Sequence, residues 1–143
     1  GLVAVGSLDA LAAQRPEARL LAATDARLGE IYFCAYERDA EGVLRADGEP
    51  ACGKPGMVPL PAGTWFGVGS AFAVHGEVLR TRLGDRLAGS AADVVPRAAE
   101  VVRLAAQRVT QGKLIAPWQA APLYVRDKVA QTTAERLASG GKA

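Results

Sequence analysis

The sequence is poor in the residues on which most metal and hydrolytic sites depend. Its 143 residues include two cysteines, one histidine and one methionine, and aromatic residues make up only 6%. A zinc site needs several Cys or His ligands at short spacings, and neither cysteine lies at such a spacing from His75. A catalytic triad would require Ser7, Ser70 or Ser90 to meet His75 and a carboxylate, and no Gly-x-Ser-x-Gly motif is present. The sequence therefore predicts no metal site and no hydrolytic centre.

Long apolar runs and a strong charge excess are also missing. No run approaches the about 18 residues of a membrane-spanning helix, and residues 1–16 lack the basic segment of a signal peptide. The net charge of +2 is too small for the concentrated basic face of a nucleic-acid-binding protein. With Cys34 and Cys52 as the only thiols, a reducing compartment is favoured over a disulfide. We therefore expect a globular cytoplasmic protein without a membrane partner.

In the first part of the chain, hydrophobic patterning predicts strands that surround one short helix. Four strands are expected, at residues 1–7, 18–24, 30–38 and 43–47. Ser7 is the expected N-cap of the helix that follows the first strand, and Asp9 lies in its first turn, where the helix dipole favours an anion. The last three strands should form an antiparallel meander with residues 30–38 in an interior position, because both faces of that strand are apolar.

The second part of the chain is less regular. Recurring prolines and glycines predict an irregular loop over residues 47–63, and a buried strand is expected at residues 64–70. Residues 71–92 remain ambiguous between helix and turn. A long helix is expected over residues 93–112, with Asp93 as its cap and an apolar stripe formed by Val95, Ala98, Val102, Ala105 and Val109.

Two glycine-rich segments resemble phosphate-binding motifs but fail at the positions that matter. Residues 48–55 match seven positions of a P-loop, yet Pro55 replaces the Ser or Thr that would bind magnesium. Residues 67–72 begin like a dinucleotide-binding fingerprint, with Phe72 in place of the third glycine. We interpret the first as a chance match and the second as a tight turn from strand to helix.

The segment TDARLGEIYFCAYER, residues 24–38, joins two apolar runs through a charged turn. In one interpretation it is a plain hairpin, in which Gly29 supplies a positive φ and Arg27 pairs with Asp25 or Glu30. In the other, the turn contacts a phosphate, an RNA or a partner protein.

This same segment resembles a known family. DARLGEIY, from Asp25 to Tyr32, is similar to the Asp-Ala-Arg-x-Gly-Glu-Val-Tyr segment of the TsaB family, also called YeaZ. Three further segments match that family in the same order: VGSLDALA at residues 5–12, VGSAF at residues 68–72 and PLYVRDKVA at residues 122–130. The last of these contains Tyr124 and Arg126 of a Pro-x-Tyr-x-Arg motif.

The resemblance implies an α/β lobe of the actin-like ATPase (ribonuclease H-like) fold, with a mixed sheet, a three-stranded meander and flanking helices. It implies a non-catalytic accessory subunit that acts with a TsaD-type transferase and a TsaE-type ATPase, which together install threonylcarbamoyl on the adenosine next to the anticodon of tRNA. No catalytic residue, cofactor or metal is implied, and protease activity is not expected. The implied interaction residues are Asp25, Arg27, Gly29, Glu30, Tyr32, Tyr124 and Arg126.

The chain departs from the family at its start, because the Asp-Thr-Ser strand and the Gly-Pro-Gly-Ser-Phe-Thr-Gly segment of the family's N-terminal lobe do not occur. We therefore expect residues 1–16 to be the last strand and helix of that lobe, residues 17–130 the C-terminal lobe, and residues 131–143 a disordered polar tail. The absent lobe is expected to dock on TsaD, a homodimer is possible, and contact with tRNA is expected to be indirect.

Two alternatives remain open. One is a nucleotide-binding or phosphotransferase lobe of the same superfamily, against which Arg27 argues because relatives that use ATP have glycine at that place. The other is direct RNA contact through Arg126, Lys128, Arg136 and Lys142, which would make binding to tRNA steeply salt-dependent.

Overall fold

A computed structural model describes residues 1–126, so the predicted tail at residues 131–143 and three of the four candidate RNA-contacting residues, Lys128, Arg136 and Lys142, lie outside the described part. Within these residues the sheet has five strands, which are β1 (Arg19–Asp25), β2 (Ile31–Arg38), β3 (Leu44–Gly53), β4 (Trp65–Val68) and β5 (Leu87–Ala91). The helices are α1 (Ser7–Ala12), α2 (Ala71–Val74), α3 (Gly76–Leu83) and α4 (Ala98–Thr110). Among residues 1–126, no helix is long and apolar enough to cross a membrane.

The sheet is mixed and has the strand order β3-β2-β1-β4-β5. The pairs β1/β2 and β2/β3 are antiparallel, which confirms the predicted meander, whereas β1/β4 and β4/β5 are parallel. Strand β2 lies inside the sheet and is buried on both faces over most of its length, as its apolar composition predicted.

Strand β3 is longer than predicted and continues to Gly53. The prediction of an irregular loop from residue 47 is therefore wrong for its first seven residues. The pairing with β2 shifts at a bulge, since Phe33 faces Ala51 while Ala35 faces Asp47. A bulge on an edge strand accommodates Pro50, which has no amide hydrogen to donate to a ladder.

The beginning of the chain corrects two further predictions. Residues 1–7 form no strand, and only an isolated antiparallel bridge joins Leu2 to Ile115. The N-cap of α1 is Gly6 rather than Ser7, which is already helical. The Asp9 carboxylate accepts a hydrogen bond of 3.1 Å from the Gly6 amide, so the side chain that caps this terminus comes from the first turn of the helix.

The core lies in two clusters. The larger is centred on Leu21, Ile31, Phe33, Trp65, Phe72 and Leu79. The second cluster packs α1 against the sheet and contains Leu8, Leu11, Leu20, Cys34, Tyr36 and Val68. In this second cluster the buried Tyr36 hydroxyl donates a 2.7 Å hydrogen bond to Asp9 Oδ1. Burial and then the nearby Asp9 charge raise the pKa of Tyr36, so the phenol stays protonated as a donor.

Helix α4 confirms the predicted helix only in part. The helix begins after Arg97 rather than after Asp93. Val102 is 68% exposed, and Val109 is also exposed, so the apolar stripe faces away from the core in the described structure. The side that faces the protein carries the buried Glu100 and Arg108, whose Nη2 lies 2.6 Å from Asp9 Oδ2.

Candidate interaction site at the turn between β1 and β2

The turn between β1 and β2 is a tight hairpin closed by its own backbone. The Ala26 amide donates to the Glu30 carbonyl at 2.9 Å, and the Glu30 amide donates to the Arg27 carbonyl at 3.0 Å. Arg27, Leu28 and Gly29 all have positive φ, at 64°, 55° and 74°. The left-handed conformation costs a non-glycine residue about 1–2 kcal/mol, so this turn needs support from its surroundings.

Asp25 supports one side of the turn. Its Oδ1 lies 3.0 Å from His75 Nε2 and accepts a 3.3 Å hydrogen bond from the Arg27 amide, while its own amide donates to Ser70 Oγ at 3.1 Å. The hydrogen bond with His75 holds the pKa of Asp25 below its ordinary value. His75 and Ser70 lie near the start of α2 and α3, next to the end of β1, because parallel pairing brings the ends of β1 and β4 to the same edge of the sheet.

The cluster of Asp25, Ser70 and His75 has the composition of a catalytic triad but a different connectivity. The hydroxyl of Ser70 is bonded to a backbone amide, and among residues 1–126 no hydrogen bond joins it to the ring of His75. A serine nucleophile requires its base within hydrogen-bond reach. The arrangement therefore holds the end of β1 against α2 without activating Ser70.

Arg126 supports the other side of the turn. Its side chain is only 9% exposed, and its Nη2 lies 2.7 Å from Glu30 Oε2. The same nitrogen donates to the carbonyls of Ala26 at 2.9 Å and Arg27 at 3.3 Å. The guanidinium group also lies over the ring of Tyr32, 5.6 Å from its centroid. The neighbouring Cys52 side chain, followed by Glu30, raises the pKa of Arg126.

The structure thus brings together the DARLGEIY segment and Arg126 of the Pro-x-Tyr-x-Arg motif, which are about 100 residues apart. Six of the seven predicted interaction residues meet here: Asp25, Arg27, Gly29, Glu30, Tyr32 and Arg126. Tyr124 does not join them inside the site and is 80% exposed. The expected ion pair of Arg27 with Asp25 or Glu30 is wrong, because these carboxylates pair with His75 and Arg126 and the backbone of Arg27 makes the contacts.

The two glycine-rich segments form part of a strand and a tight turn. Residues 48–53 belong to β3, so they form no loop that could surround a phosphate. Gly69, with φ of 110°, makes the predicted tight turn from β4 into α2, and Phe72 packs over Gly67. Within the part of the chain that the structure describes, no group of three or more His, Cys, Asp or Glu residues is arranged to hold a metal ion.

Comparison with known proteins gives consistent matches. The chain is 33% identical over 121 residues to the tRNA threonylcarbamoyladenosine biosynthesis protein TsaB of Escherichia coli K12, which covers 78% of this chain and 49% of that protein. Two solved structures from Pseudomonas aeruginosa are each 29% identical and cover 85% of this chain and 57% of theirs. One is YeaZ, with a TM-score of 0.73, and the other is an uncharacterized protein similar to peptidase YeaZ, with a TM-score of 0.74. No family profile matches the sequence.

The mixed five-stranded sheet, its flanking helices and these structural matches define an α/β lobe of the actin-like ATPase fold. In this lobe the β1–β2 turn is closed by its own backbone and held by Asp25 with His75 on one side and by Arg126 on the other. Over most of its length the chain matches TsaB, also called YeaZ, which confirms the resemblance found in the sequence. It spans about half the length of the curated relative that it matches.

Replacing Asp25 by Asn should remove a pH-dependent part of the stability. His75 holds the folded-state pKa of Asp25 below its ordinary value of 3.8. The ionised carboxylate therefore stabilises the folded state above that value, and the contribution is lost as the pH falls through the folded pKa. Wild type should be more stable than Asp25→Asn at about pH 6, and the difference should shrink towards about pH 3. Urea unfolding at several pH values measures both curves.

Asp85→Asn is the matched control, because Asp85 lies in an exposed turn. We expect its stability to follow the wild-type pH dependence. Parallel curves for wild type and Asp25→Asn would show that the contact with His75 does not contribute to folding.

Proposed function

We propose that this chain acts as a non-catalytic accessory subunit in the threonylcarbamoylation of tRNA, at the adenosine next to the anticodon. The observation that carries the proposal is the 33% identity over 121 residues to a TsaB protein named for the biosynthesis of this nucleoside. In this proposal its partners are a TsaD-type transferase and a TsaE-type ATPase in the cytoplasm, and it contacts tRNA only through them.

The β1–β2 turn supports a role without nucleotide chemistry. A phosphate-binding loop needs free backbone amides that converge on one point. Here the amides of Ala26 and Glu30 are bonded to carbonyls within the turn, and the amide of Arg27 is bonded to Asp25. Glu30 also brings a negative charge to the turn. These features oppose the alternative of a nucleotide-binding or phosphotransferase lobe.

The arrangement of Ser70 likewise supports a role without peptidase chemistry, because its hydroxyl accepts a hydrogen bond from a backbone amide instead of pairing with His75. We assign to the turn a role in contact with a partner protein instead of a role in catalysis. Leu28, at its tip, is 77% exposed. In this proposal residues 17–130 form the C-terminal lobe, and residues 1–16 are the last part of the N-terminal lobe that docks on the transferase.

The proposal is tested by a pull-down with a tagged TsaD-type transferase. Two forms are compared, namely this chain and a form extended at its N-terminus by the matching half of a TsaB relative. We expect the extended form to be retained and to increase threonylcarbamoyladenosine in tRNA when TsaE-type protein and substrates are added, as measured by mass spectrometry of nucleosides. Neither form should modify tRNA without the transferase.

If neither form were retained, the accessory role would be contradicted. Equal retention of both forms would place the docking surface within this chain instead of in the N-terminal lobe. A thermal shift with ATP and ADP tests the nucleotide-binding alternative, since a ligand at 100 times its dissociation constant stabilises by about 2.7 kcal/mol. We expect no shift.

A further inference from the structure

The walls around the Arg126 side chain have the chemistry of a receptor for a guanidinium group. They offer the Glu30 carboxylate and the carbonyl oxygens of Ala26 and Arg27 as acceptors, and the face of the Tyr32 ring as a flat surface. A guanidinium group is a planar cation with five donors that binds carboxylates and stacks on aromatic rings. These acceptors and the ring come from the β1–β2 turn and β2, and the neighbouring Cys52 side chain, whose Sγ lies 3.8 Å from Glu30 Oε2, comes from β3.

The segment that carries Arg126 contributes little else to this contact. Residues 121–124 are exposed, including the large side chains of Leu123 and Tyr124. Arg126 is therefore a buried side chain that follows the exposed residues 121–124 and is inserted into the body of the protein. The receptor and its occupant belong to separate parts of the chain.

The fit of this occupant is incomplete. Among residues 1–126, Nε of Arg126 is buried without a hydrogen-bond partner, although Nη2 of the same group contacts Glu30 and both carbonyls. A buried donor without a partner opposes burial of the group. A guanidinium group that was free to rotate could direct its donors at the same acceptors without the restraint of the Arg126 backbone.

We propose that this is a guanidinium-binding site that the chain fills with its own Arg126, and that an arginine side chain of a protein partner occupies it when Arg126 withdraws. The tethered Arg126 competes at an effective concentration on the order of millimolar, so it keeps the site closed to weak external ligands. The bound cation also orders the turn. It holds the carbonyl of Arg27, which has a left-handed conformation, and the carbonyl of the adjacent Ala26. The proposal does not depend on the role in tRNA modification.

Arg126→Ala tests the proposal by emptying the site, with methylguanidinium as the probe. Hydrogen exchange of the Ala26 and Glu30 amides should accelerate about tenfold or more in the variant, because hydrogen bonds to a charged group are lost. Methylguanidinium should restore the protection in a saturable way. Methylammonium at the same concentration should not, because it lacks the planar fork. Wild type should not respond to either ion.

Two matched variants sharpen the test. Arg45→Ala removes an exposed arginine that pairs with Asp39, and methylguanidinium should not alter its exchange. Adding Glu30→Gln to Arg126→Ala should abolish binding of the probe. Equal binding by this double variant, equal rescue by methylammonium or the absence of saturable rescue would overturn the proposal. If Arg126→Ala fails to fold alone, recovery of its circular dichroism with methylguanidinium supports the proposal, and failure to recover overturns it.

Discussion

Replacing Gly69 by alanine is expected to destabilise the protein by about 3 kcal/mol or more, from overpacking and an unfavourable backbone conformation together. An added Cβ would lie 2.4 Å from the carbonyl oxygen of Ala23 and 3.2 Å from Cδ1 of Leu11. The first of these atoms cannot move aside, because Ala23 belongs to the central strand β1. Gly69 also has a φ of 110°, which side-chain-bearing residues rarely adopt. Urea unfolding measures the loss.

Gly42→Ala is the control that measures the cost of the left-handed backbone conformation without a steric clash. Gly42 also has a positive φ, 77°, but an added Cβ there would meet no atom within 4 Å. We expect a loss of about 1 kcal/mol from the left-handed conformation. Equal losses at the two positions would show that the contact with Ala23 does not determine the cost at Gly69. Because Gly69 leads directly into Ser70, its replacement should also disturb the hydrogen bond between Ser70 and Asp25.

Trp65→Ala should cost about 3–5 kcal/mol of unfolding free energy, the range for removing a large buried aromatic side chain. Trp65 is fully buried in the larger core cluster. Its Nε1 donates a 3.1 Å hydrogen bond to the carbonyl of Pro61, so the substitution also removes a partner from the loop that leads into β4. Urea unfolding followed by far-ultraviolet circular dichroism gives the change.

The second tryptophan provides the matched control. Trp118 is 86% exposed, and Trp118→Ala should change the stability by no more than about 0.5 kcal/mol, as for most surface substitutions. The tryptophan fluorescence of this variant then comes from Trp65 alone and should shift to longer wavelength on unfolding. A loss at Trp118 as large as that at Trp65 would contradict the described packing.

The sequence predicts the strands that are marked by a continuous run of apolar residues. Strands β1 and β2 are continuous apolar runs on either side of a glycine turn, and both appear where expected. Strand β5, with the sequence LAGSA, escapes prediction because small residues and a glycine carry little strand signal, and it forms by parallel pairing with the distant β4. The second half of β3 is not predicted, because it contains Gly48 and Pro50, which a bulge accommodates. Helix α4 carries part of the predicted apolar stripe, but the spacing of these residues does not predict which surface the stripe packs against.

The candidate site shows the same division between local and distant signals. The conformation of the turn follows from Asp25 and Gly29. The partners that hold it, His75 and Arg126, lie 50 or more residues away, and no local pattern encodes such contacts. The sequence pairs Arg27 with its nearest carboxylates, because a local pattern offers no guide other than proximity along the chain. The Tyr-x-Arg resemblance singled out Arg126, but only the fold shows that it meets Glu30.

The contact between Arg126 and the Ala26 carbonyl also sets an order of events during translation. The two residues are 100 positions apart, and at bacterial and eukaryotic rates the ribosome needs roughly 5–20 s to synthesise that length. On a nascent chain, Asp25 and the β1–β2 pairing can form well before Arg126 has left the exit tunnel. The turn therefore remains unsecured on one side until Arg126 emerges, and nascent chains that end before Arg126 should display it in a looser state than the finished protein.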